Sequence, residues 1–147
     1  MQDKKSVGKA IGALSNVMAR YVCLDKKNDK EILPPNQMWV ILFIKKSKTP
    51  VYQKNIEQHL KIRRSSATVI LQQMEKSGLI IRKVSQSDSR LKTIELTNKA
   101  EMLFSNAQKY LDGLENIIQQ NIDKKDLEVF LKVIDQIIAN LGGSKNC

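Results

Sequence analysis

Apolar residues recur along the chain in two rhythms, and the change between them marks its organisation. Val7, Ile11, Leu14, Met18, Tyr21 and Val22 fall three and four apart, which places them on one face of a helix over residues 7–24. A charged, loop-like stretch over 25–31 interrupts the pattern. Pro34-Pro35 then opens a second helix, because proline is tolerated in a first turn. This helix is expected to turn Met38, Trp39, Ile41 and Leu42 inward. It should end near Ser47, since Pro50 biases the residue before it away from helical backbone.

Two short helices follow, over residues 53–60 and 64–77. The first turns Ile56 and Leu60 inward, and the second lines up Ala67, Ile70, Leu71 and Met74 at the i, i+3, i+4, i+7 spacing. Gly78 supplies the left-handed residue that ends this helix, with Leu79 folding back on Met74. So short a connection between two helices predicts a helix-turn-helix. The rhythm then changes. Residues 80–84 and 91–96 are β-branched and apolar enough for strands, and the six polar residues 85–90 between them make a hairpin tip. Thr97 is a good N-cap for a long helix with the face Leu103, Phe104, Ala107, Tyr110, Leu111, Leu114, Ile117 and Ile118. Asp123 caps a last helix with the face Leu127, Phe130, Leu131, Ile134, Ile137, Ile138 and Leu141, ended by Gly142-Gly143.

The predicted fold is mainly α with a small β-hairpin wing: a winged helix-turn-helix lobe over residues 33–97 within one domain of residues 1–147. One small lobe cannot cover the apolar stripes of the helices at 7–24 and 98–141. These are therefore expected to be dimerisation helices.

Length and composition agree with a single globular domain: 147 residues, 41% of them hydrophobic. The longest apolar run, residues 38–44, is far too short to span a bilayer, so no membrane association is expected. The polar start of the chain predicts no secretory leader, and two cysteines, Cys23 and Cys147, are too few for a disulfide framework. A cytoplasmic protein is expected. Cys23 is a candidate redox sensor, but nothing in the sequence marks it as a low-pKa thiol, and an inert buried thiol is the alternative.

Charge narrows the function. The net charge is +10, and residues 45–99 alone carry +9, against +3 for residues 1–44 and −2 for residues 100–147. A basic cluster inside a folded chain calls for a polyanion, and double-stranded DNA fits best. The rival is a winged-helix module whose partner is a protein, which has no need of that charge. An enzyme is disfavoured. With His59 the only histidine, no second catalytic histidine exists, and the six glycines build no phosphate-cradling loop. No metal site and no cofactor are expected.

The helix at 64–77 offers Arg64, Ser65, Ser66, Thr68, Val69 and Gln72 on the side away from its apolar face. In a major groove, Gln72 can bond an adenine in bidentate fashion and Val69 can touch a thymine methyl. Lys54, Arg63, Arg82 and Lys92 are candidates for phosphate contact. Tyr21, Met38, Trp39 and Tyr110 are candidates to line a small-molecule pocket.

Three stretches carry a resemblance to a known family. Leu33-Pro34-Pro35-Asn36-Gln37, the run from Leu60 through Thr68 to Ile80, and Arg82 followed by Asp88-Ser89-Arg90 and Leu96-Thr97 together resemble the MarR family of bacterial transcription regulators. The resemblance covers residues 33–100 by motif and the flanking helices by pattern. It implies a winged-helix homodimer on pseudo-palindromic DNA, usually a repressor, often released by a small molecule or by cysteine oxidation. It also implies that Arg90 reaches the minor groove while Asp88 holds it. Ser89, Val69 and Gln72 depart from the family pattern, so the operator sequence does not transfer.

Overall fold

The computed structural model describes residues 6–25 and 33–142, with residues 22–25 and 107 described by backbone alone. Cys147, Gly143 and the side chain of Cys23 lie outside the described residues. The chain divides into two units, residues 1–32 and 33–147.

The first unit holds α1 (Val7–Asp25), on which Val7, Leu14 and Val17 are about half exposed. The second unit runs α2 (Pro35–Lys46), α3 (Gln53–Leu60), α4 (Arg64–Lys76), β1 (Ile80–Val84), β2 (Lys92–Leu96), α5 (Asn98–Gln119) and α6 (Lys124–Asn140). It is mostly helical, with β1 and β2 pairing antiparallel from Ile80 opposite Leu96 to Val84 opposite Lys92. This is the expected winged helix-turn-helix.

Local chemistry sets the boundaries. Proline stands at the start of α2, where its missing N–H costs nothing. Asn55 accepts the Tyr52 backbone N–H at 2.8 Å and so closes the first turn of α3. Lys61, with φ +55°, makes the sharp turn into α4, and its neighbour Ile62 donates back to the Glu57 carbonyl. At the far end of α4, Gly78 has φ +75°. The Leu79 N–H donates to the Met74 carbonyl at 2.8 Å and the Gly78 N–H to the Glu75 carbonyl at 3.1 Å. Those two bonds are the Schellman ending expected from Gly78 and Leu79. Thr97 caps α5 through the Ala100 N–H, and Asp123 caps α6 through the Lys125 N–H.

The core lies where the helix-turn-helix meets the wing. Met38 and Ile41 of α2, Ile56 of α3, Ala67, Leu71 and Met74 of α4, and Leu79 and Ile80 are each at most 2% exposed. Ala100 and Phe104 bring the first turns of α5 onto the same core. Val51, ahead of α3, accepts the Ile94 N–H at 2.8 Å and ties the helix-turn-helix to the hairpin.

Trp39 corrects an expectation. It is 45% exposed, whereas Gln37, Met38, Val40 and Ile41 are buried. At about 100° per residue, those four share one side of α2 and Trp39 falls opposite their centre. Its angular position keeps it out of the core. Leu91 also stands outside β2, and is 45% exposed.

Candidate nucleic-acid interface

Burying Ala67, Ile70, Leu71 and Met74 fixes the rotation of α4 about its axis. The opposite side then presents Ser65, Val69, Gln72 and Lys76 to solvent, with Val69 53% exposed. Arg63, Arg64 and Ser66 are exposed at the start of the helix, and Lys54 is exposed on α3. Thr68 is half-buried on the flank toward α3. Its hydroxyl donates to the Arg64 carbonyl at 2.9 Å and accepts from Gln53 Nε2 at 2.9 Å. This surface combines an amide that both donates and accepts, hydroxyls, an apolar tip and cations.

The hairpin brings further groups to the same lobe. Asp88 clamps Arg90 at three points: its Oδ1 accepts the Arg90 backbone N–H at 3.0 Å and Nε at 3.2 Å, and its Oδ2 accepts Nη2 at 3.2 Å. The Arg90 side chain is nonetheless 88% exposed. Its direction is set from below while its outer edge stays open. The guanidinium, and then the Arg90 N–H, hold the Asp88 carboxyl below the usual carboxylate range. Lys92 is exposed at the start of β2.

Arg82 is placed differently from these cations. Its side chain is 23% exposed and its Nε lies 3.3 Å from a Glu75 carboxylate oxygen. The pair joins α4 to β1, which turns that charge toward the protein. Lys83 similarly meets Glu95 at 2.9 Å.

Three features of the site went unseen in the sequence. Gln53 fastens the start of α4, as described. Thr97 Oγ1 donates to the Gly78 carbonyl at 2.6 Å, and Lys99 Nζ reaches the Ser77 carbonyl at 3.0 Å, so α5 pins the turn that ends α4. A hydroxyl chain, Tyr52 to Ser85 to Ser87, with 3.0 Å at each step, anchors the base of the wing to the start of α3. Ser85 is 7% exposed, so this chain satisfies a buried polar group. Spacing of residue types carries no trace of these long-range pairs.

The proposed pocket residues are not gathered in this lobe. Met38 is sealed in the core and Trp39 is on the other side of α2; Tyr110 is half-buried against the core, and Tyr21 is exposed on α1. The lobe carries a shallow groove of about 310 Å³ elsewhere, between the end of α2 and β2, with Lys45, Val51, Glu95 and Glu101 among its lining. No helix among the described residues is long and apolar enough to cross a membrane.

Comparison with known proteins places this arrangement. Residues 33–91 match the MarR family model. The transcription regulator MarR from Oenococcus oeni is 32% identical, with a TM-score of 0.74 over 91% of this chain and 99% of that one. MepR from S. aureus, solved as a DNA complex, has a TM-score of 0.79 at 16% identity, over 93% of this chain and 99% of its own. CouR from Rhodococcus jostii, solved bound to p-coumaroyl-CoA, has a TM-score of 0.62 at 19% identity, over 71% of this chain and 73% of its own. The last two share the fold; the first is also similar in sequence along nearly its whole length. The chain therefore belongs to the MarR family, as a transcription regulator and not an enzyme.

Proposed function

We propose that this regulator is a homodimeric repressor that binds a pseudo-palindromic double-stranded DNA operator and is released by a small-molecule effector. The observation that carries the DNA reading is the exposed side of α4, with Ser65, Val69 and Gln72 flanked by Arg63, Arg64 and Lys54, beside a wing that holds Arg90 outward. Gln72 and Val69 would read base edges in the major groove. Arg90 would enter the adjoining minor groove, where negative potential is concentrated. The cations would hold phosphates and set the register.

Exposed apolar surface supports the dimer. α6 has no buried residue, and Val129, Phe130, Leu131 and Leu141 are each 48–80% exposed. α1 exposes Ile11, Leu14, Val17 and Met18. A second copy that buries such side chains gains roughly 1.5–3 kcal/mol for each one fully covered. Two-fold symmetry also presents a recognition helix to each of two major grooves about 34–36 Å apart. The CoA-bound relative supports the effector.

Sedimentation equilibrium at low micromolar concentration, followed by titration onto operator DNA, tests the reading. The expected result is twice the chain mass in solution and two chains per operator. A monomer that binds operator tightly, or equal affinity for every duplex, overturns it.

A further inference from the structure

The hydroxyl proton of Thr68 is committed within the protein. It goes to the Arg64 carbonyl at 2.9 Å, and the hydroxyl oxygen accepts from Gln53 Nε2 at 2.9 Å. The same Gln53 nitrogen lies 3.4 Å from the Arg64 carbonyl, so its two protons serve the two acceptors. Thr68 therefore has no proton left to give a base, and its side chain retains one oxygen lone pair and the γ-methyl. Beside it, Val69 is apolar and 53% exposed.

We propose that Thr68 reads DNA through its methyl group, by contact with the C5-methyl of a thymine. Gln53 is the positioning residue that keeps the hydroxyl turned back onto α4. The inference deepens the proposed DNA-binding function and rests on it. In the major groove, thymine alone among the four bases shows a methyl, so an apolar tip there selects T without a hydrogen bond. Losing one methyl-sized contact lowers affinity about fourfold.

The test uses the full chain and an operator selected by it from random duplex DNA. Each operator thymine is replaced in turn by deoxyuridine, which removes one methyl and leaves every hydrogen-bonding group. Affinities are measured for the wild type, Thr68→Val, Thr68→Ser and Gln53→Ala. At one position per half-site, uridine should weaken the wild type and Thr68→Val by about fourfold and leave Thr68→Ser unaffected. Valine keeps the methyl; serine lacks it. Gln53→Ala should shrink the thymine-to-uridine ratio at that position in the wild-type background but not in Thr68→Val, where no hydroxyl needs holding. Because uridine alters only the DNA, a variant that folds poorly does not block the test. If no sequence is enriched in the selection, the DNA reading itself fails, and this inference with it. If an operator is found but Thr68→Ser responds to uridine at every position as the wild type does, the methyl contact alone is overturned. A Gln53→Ala ratio equal to the wild type's removes Gln53 from the assignment.

Discussion

Replacing either member of the Asp88–Arg90 pair separates a positioned wing from a merely basic one. Arg90 is 88% exposed, and its clamp to Asp88 lies open to solvent. Exposed ion pairs contribute little to folding, so Arg90→Ala should leave thermal stability and dimerisation unchanged. Its effect should fall on DNA. If each wing displaces one counterion, a dimer lacking both arginines loses about 1.8 from the slope of log affinity against log salt, at about 0.9 per contact. From 50 to 200 mM salt the variant's affinity should then fall roughly twelvefold less than the wild type's. Fluorescence anisotropy on a labelled operator across that salt range reads the slope directly. Asp88→Ala carries the sharper sign. It removes a negative charge, so unspecific electrostatics predicts tighter binding. Positioning predicts weaker binding, because Arg90 loses three hydrogen bonds and must be ordered by the DNA itself. If Asp88→Ala binds more tightly than the wild type, the carboxylate does not position Arg90 and the wing is a generic basic loop.

Three further outcomes follow from the same geometry. Gln72→Ala should cost about 1–3 kcal/mol on the best operator and almost nothing on random duplex, as a base contact requires; equal losses on both would remove Gln72 from base readout. The depressed Asp88 pKa keeps the carboxylate ionised from neutrality down past the usual carboxylate range, so its help to the wing persists there and fades only as pH falls through that lowered value. The affinity ratio of wild type to Asp88→Asn should accordingly stay flat from pH 8 to pH 5, and a ratio that collapses by pH 5 contradicts the clamp. Tyr52→Phe should destabilise the chain by about 0.5–1.5 kcal/mol in urea unfolding with an unchanged m-value, because a half-buried bond to Ser85 is lost.

How much of this was legible in the sequence depended on how local the cause was. Gly78 and Leu79 ended α4 as expected because a Schellman turn is decided within six residues. Thr97 and Asp123 capped their helices for the same reason. The face of α4 followed from Ala67, Ile70, Leu71 and Met74, whose spacing admits one rotation. Trp39 was expected inward, although at about 100° per residue it falls opposite the buried side of α2. Gln53 with Thr68, Tyr52 with Ser85 and Glu75 with Arg82 were invisible. Each joins residues at least seven apart that only tertiary packing brings together, and a glutamine or tyrosine carries no sign of where its polar end will go. Basic charge over residues 45–99 pointed to this lobe as the candidate interface but did not separate Arg90, held outward, from Arg82, held inward by Glu75.

In the proposed complex, two copies of this chain present two α4 helices to one DNA site. Selection of bound sequences from random duplex DNA by the purified full-length protein tests it most directly. The expected result is enrichment of an inverted repeat whose half-sites lie about one helical turn apart, roughly 34–36 Å centre to centre, with thymine or adenine at the positions facing Thr68, Val69 and Gln72. Enrichment of a single unrepeated element, or of no sequence at all, would contradict it.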